Sequence, residues 1–197
     1  MSNDPYIYNV LCFTTNTKSF EPLTILKKYI TSSGYNPKKI ASENPLNIYY
    51  NFNTSKILIS FLQIINLEKE RLEVGYLVES YIILVDLEND NTYENLDMII
   101  NCMNNYCDLE KTVFILGLYS NAKNIQKNMN EENVKEFLDG KNLIYEYIES
   151  NYALINDFNK AIDFILEEGI KKVEKKIKES ELKNKTDSES ESHCNIF

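Results

Sequence analysis

The stretch Tyr81–Leu118, YIILVDLENDNTYENLDMIINCMNNYCDLEKTVFILGL, decides the architecture. Tyr81 to Asp86 (YIILVD) is apolar until its terminal Asp, the pattern of a strand buried on both faces. Thr112 to Leu118 (TVFILGL) repeats that pattern. Between them Leu96, Ile99, Ile100 and Met103 recur at helical spacing, which predicts a helix over Tyr93 to Tyr106 with one buried face. Strand, crossover helix and strand make a βαβ unit, and such units impose a parallel sheet covered by helices.

The same alternation extends in both directions. Upstream, Asn47 to Phe52 and Lys56 to Ile65 are strand-like runs joined by Asn53-Thr54-Ser55, a hairpin and hence an antiparallel pair. Before them, Tyr6 to Phe13 (YIYNVLCF) reads as a strand and Lys18 to Ile30 as a helix, with Pro22 near its front and Ser32-Ser33-Gly34 ending it. Leu67 to Glu73 is charged and reads as a loop or ragged helix. Downstream, Asn130-Glu131-Glu132 opens a helix through about Leu138. Leu143 to Ile148 is the last strand, and Ile155 to about Ile177 the last helix, striped by Phe158, Ile162, Ile165 and Leu166. The expected fold is therefore α/β: three layers, a mostly parallel six-stranded sheet with one antiparallel edge strand, and helices on both faces. Ligands in such folds lie at the carboxyl ends of strands, here the segments after Phe13, Ile65, Asp86, Leu118 and Ile148.

Composition sets the limits. The chain has 197 residues, room for one domain over 1–178 and a polar tail over 179–197. Hydrophobic residues make up 43%, enough for a sizeable core. Thirty acidic against 21 basic residues give a net charge of −9, which argues against nucleic acid as a partner. The start, Met1-Ser2-Asn3-Asp4-Pro5, lacks a signal-peptide layout, and no apolar run is long enough to cross a bilayer. Four cysteines in this length read as reduced thiols of a cytosolic chain, Cys102 and Cys107 as buried thiols among them. One His excludes a His-rich metal site, and five Gly leave few for a glycine-rich phosphate loop.

The last four residues, Cys194-Asn195-Ile196-Phe197, fit the C-a-a-X prenylation signal. A terminal Phe points to a geranylgeranyl lipid on Cys194, attached by a prenyl transferase. The expected location is then the cytoplasmic face of a membrane, plasma membrane or endomembrane. One lipid chain holds a membrane only marginally, so a second signal is expected. Lys171, Lys172, Lys175, Lys176 and Lys178 form a basic patch, but Asp187, Glu189 and Glu191 stand between it and the lipid. The patch therefore reads as a solvated helix face, and retention by a protein partner is the other route.

With the tail in mind, the segment after the first strand can be set against the phosphate-loop pattern G-x-x-x-x-G-K-[ST]. Cys12-Phe13-Thr14-Thr15-Asn16-Thr17-Lys18-Ser19 has Lys and Ser in place, with Cys12 and Thr17 where the glycines belong. Leu62-Gln63-Ile64-Ile65-Asn66-Leu67-Glu68-Lys69-Glu70-Arg71 resembles L-Q-I-W-D-T-A-G-Q-E-R, one residue short and with Asn66 at the Asp. Thr92-Tyr93-Glu94-Asn95-Leu96 resembles S-F-x-N-[LV]. Leu118-Tyr119-Ser120-Asn121 stands where N-K-x-D would fall, and Tyr147-Ile148-Glu149-Ser150-Asn151-Tyr152-Ala153 resembles the E-T-S-A-K loop. Asp157, Phe158 and Ile162 follow the N-V-x-x-x-F helix opening. In order and spacing, from Tyr6 to Phe197, the chain resembles a small GTPase of the Ras superfamily, nearest the Rab branch, with eroded nucleotide motifs.

The resemblance implies a P-loop small-GTPase-like fold, GTP or GDP with Mg2+ as ligands, and effector or regulatory proteins docking over residues 36–80. Lys18 would reach a phosphate, Ser19 the Mg2+, and Asn66 would stand on the metal side. The departures pull the other way. Thr17 puts a β-branched side chain where the loop needs freedom at φ, and Cys12 adds bulk at the turn. Asn66 is neutral where a carboxylate would hold the metal. The guanine-reading Asp and the water-positioning Gln are missing, and with them base selectivity and hydrolysis. No catalytic residue is assigned. The expected function is a prenylated Rab-like binding module in vesicle traffic or signalling with weak or absent GTP chemistry. The alternatives are a divergent but working GTP switch and a soluble scaffold whose Cys194 is never modified.

Overall fold

The computed structural model describes residues 6–16, 21–32, 46–52, 55–64, 78–104, 111–120, 128–151, 160–169 and 171. Six strands form one sheet: β1 (Tyr6–Thr14), β2 (Leu46–Phe52), β3 (Ser55–Gln63), β4 (Ser80–Asp86), β5 (Lys111–Tyr119) and β6 (Leu143–Asn151). Helices α1 (Pro22–Ser32), α2 (Thr92–Asn104) and α3 (Glu131–Leu138) lie between them, and a further helix, α4, covers 160–169.

The strand order is β2-β3-β1-β4-β5-β6. Every neighbouring pair is parallel except β2 with β3, which are antiparallel and place β2 at the edge. The α/β architecture with a mostly parallel six-stranded sheet is thus as the sequence predicts. The hairpin is tighter than expected: Phe52 pairs with Ser55, so Ser55 belongs to β3 and only 53–54 connect the strands.

Two apolar layers flank the sheet. On one face, Leu23, Ile25 and Leu26 of α1 and Ala161, Ile162, Ile165 and Leu166 of α4 pack on alternate residues of the strands, including Val10, Ile59, Leu84 and Leu116. On the other, Leu96, Ile99, Ile100 and Met103 of α2 and Val134 and Leu138 of α3 meet Leu11, Phe13, Ile83, Val85 and Ile115. The predicted face of α2 is therefore its buried face. β4 is buried at every residue because helices cover both its sides.

Several boundaries differ from expectation, among them the end of β3, which stops at Gln63 and does not run to Ile65. Helix α1 begins at Pro22, not at Lys18. The ring of Pro22 disfavours helical backbone at Glu21, so Glu21 is the flanking residue, and its carbonyl accepts from the Ile25 N–H at 3.1 Å. The exposed Glu21 carboxylate accepts from the Thr24 hydroxyl at 2.5 Å. That bond, and a lesser one from Gln63, hold its pKa below the usual value. The Gln63 side chain reaches across from β3 and accepts from the Leu23 N–H at 3.2 Å, satisfying one free donor of the helix start. β1 runs to Thr14, since Phe13 and Thr14 continue the ladder with Ile83 and Leu84. β6 runs to Asn151, because Gly117, Leu118 and Tyr119 of the lengthened β5 still pair with Glu149, Ser150 and Asn151. The last helix is described only over 160–169 and at 171, so Phe158 and the tail lie outside the described residues. Helix α3 opens as expected: the Asn130 side chain accepts from the Asn133 N–H, and Asn133 answers with a bond from the Asn130 N–H, a reciprocal cap.

Candidate functional site

β1, β4, β5 and β6 are mutually parallel, so their carboxyl ends emerge on one side of the sheet. The sequence places its phosphate-loop candidate there, and the structure describes that segment only from Cys12 to Asn16. Cys12 is inside β1, opposite Gln63 and Ile82, and fully buried. Burial pushes its thiol pKa up and leaves it neutral. Thr14 ends the strand. Lys18 and Ser19, the phosphate and Mg2+ candidates, lie outside the described residues, as do Asn66 and Cys194.

The first residues beyond β1 direct their donors inward. The Thr15 N–H donates to the Leu84 carbonyl at 2.9 Å. The Asn16 N–H donates to the Thr14 hydroxyl oxygen at 3.2 Å. The Thr15 carbonyl accepts from the Asn95 side chain of α2 at 2.7 Å, and the Thr15 hydroxyl oxygen accepts from the Asp86 N–H at 2.8 Å. Chain and side chain at this turn are thereby tied to β4 and to the start of α2.

Asp86, at the end of β4, is the centre of this network. One carboxylate oxygen accepts from the Asn16 side chain at 2.6 Å, and the other from the Glu88 N–H at 3.1 Å, which caps the following turn. Its carbonyl accepts from the Thr92 hydroxyl at 2.5 Å. This geometry makes Asp86 a cap of the loop after β4, and its bond to Asn16 ties that loop to the end of β1. The turn is fixed from its other side too. One Glu88 carboxylate oxygen accepts from the Ser120 N–H at 2.9 Å and from the Ser120 hydroxyl at 2.8 Å. The Asn128 side chain donates to the Glu88 carbonyl at 3.1 Å and to Asp90 at 2.7 Å.

Where the guanine-reading motif would begin, Leu118 sits in β5 with its side chain in the apolar layer shared with α4. Next to it, Gly117 leaves space that the Tyr147 side chain fills: a Cβ there would lie 2.5 Å from the Tyr147 hydroxyl. Tyr147 donates to Glu149 at 3.0 Å, and burial together with that carboxylate raises its pKa. Glu149, Ser150 and Asn151 belong to β6, so over 147–151 the expected loop is a strand; Tyr152 and Ala153 lie outside the described residues.

The arrangement is a self-satisfied cluster of carboxylates, amides and hydroxyls. Its charged groups among the described residues are the carboxylates of Asp86, Glu88 and Asp90. Among the described residues no group of three or more His, Cys, Asp and Glu is placed to hold a metal. The sequence marks Asn95 by its likeness to a helix opening without giving it a task; the structure shows it gripping the Thr15 carbonyl. Thr15, Asn16, Glu88, Ser120 and Asn128 carry no sequence signal beyond lying after strands.

Asp86→Ala tests the network. It removes the acceptor of the Asn16 amide and the Glu88 N–H, and the expected loss of stability is about 2 kcal/mol in denaturant unfolding. An unchanged midpoint would mean that water replaces the carboxylate without loss.

The fold and this site define an α/β protein with one six-stranded sheet and a polar cluster at its strand ends. No protein-family model matches the chain, and no curated protein matches it.

Proposed function

We propose that the chain is a Rab-like, prenylated binding module of a membrane surface, acting in vesicle traffic or signalling with weak or absent GTP binding and hydrolysis. The strand order, with its single antiparallel pair at the edge, is compatible with a P-loop small-GTPase-like fold. The ordered motif likenesses and the Cys194 ending support the same class. The observation that carries the loss of nucleotide control is the end of β1. A phosphate loop turns successive backbone N–H groups toward the ligand, whereas the Thr15 and Asn16 N–H groups bond to Leu84 and Thr14. Leu118 in the core supports the loss of guanine reading.

In this reading, partners dock over the switch-like region 36–80, and the surface is held in one conformation instead of being switched by a γ-phosphate. Cys194 carries the geranylgeranyl lipid and Lys18 and Ser19 are vestiges. The second reading, a divergent working switch, rests on the retained Lys18-Ser19 pair.

Membrane partition tests the anchor. In cells, Cys194→Ser is expected to move the protein from the membrane pellet to the soluble fraction by roughly tenfold or more, because each buried CH2 of the lipid contributes about 0.8 kcal/mol. Equal partition of the two forms would remove the lipid from the account and favour a soluble scaffold.

A further inference from the structure

We draw no further inference here: the strongest candidate, the surface patch where the exposed Tyr93 of α2 packs edge-on against Phe137 of α3 with the Lys141 ammonium over the Phe137 ring, carries none, because nothing in the structure shows what covers it.

Discussion

Gly169→Ala is expected to destabilise the protein by about 3 kcal/mol, the upper range for overpacking a filled core. For a chain of this size that lowers Tm by roughly 6–12 °C. The cause is a contact between α4 and the centre of the sheet. The buried Tyr8 hydroxyl of β1 donates to the Ile165 carbonyl of α4 at 2.6 Å and lies 2.5 Å from the Ser80 hydroxyl of β4. To reach that carbonyl, the phenol passes against residue 169. A Cβ there would overlap the hydroxyl and stand 2.5 Å from the ring carbon that bears it. Glycine inside a helix costs about 1 kcal/mol relative to alanine, so its presence here reflects the need for space. Tyr8→Phe alone should cost about 1 kcal/mol, for one buried hydrogen bond. Combined with Gly169→Ala it should cost less than the sum, because the worst overlap has been removed. Thermal unfolding of the four proteins checks this; an Ala variant as stable as the native chain would mean that α4 does not seat on Tyr8.

Cys12→Gly, which restores the first glycine of the phosphate-loop pattern, is expected to lower stability by about 2 kcal/mol and to confer no nucleotide binding. Cys12 is a fully buried strand residue packed in the layer with α1 and α4. Its removal leaves a void and adds backbone freedom to the unfolded chain. On the proposed reading the obstacle to phosphate lies further on, where the Thr15 and Asn16 N–H groups are engaged and Asp86 sits 2.6 Å from the Asn16 amide. Urea unfolding and titration with labelled GDP check both halves. A variant that binds GDP at micromolar affinity would locate the defect at Cys12 and not beyond it.

The sheet was legible because central strands such as β4 and β5 are buried on both faces and announce themselves as apolar runs. Tyr81–Asp86 and Thr112–Leu118 lie within one residue of their ends in β4 and β5. The stripe Leu96, Ile99, Ile100 and Met103 likewise defined α2. Strand ends were harder. Glu149, Ser150 and Asn151 are polar, so nothing in their own chemistry predicts a strand; their conformation is imposed by the partner β5. The start of α1 was misplaced because apolar periodicity says where a helix packs, not where it begins; the local rule at Pro22 decides that. The site was legible in location alone. Its content comes from contacts such as Asn16 to Asp86 and Ser120 to Glu88, between segments distant in the chain, which no spacing rule reports.

The most direct measurement is nucleotide content. Purified protein would be denatured, the supernatant separated by ion-exchange chromatography, and the native protein titrated with labelled GTP and GDP in the presence of Mg2+. The account predicts no released nucleotide and no saturable binding. Stoichiometric guanine nucleotide in the supernatant, or micromolar binding abolished by Lys18→Ala, would contradict it and establish the divergent switch.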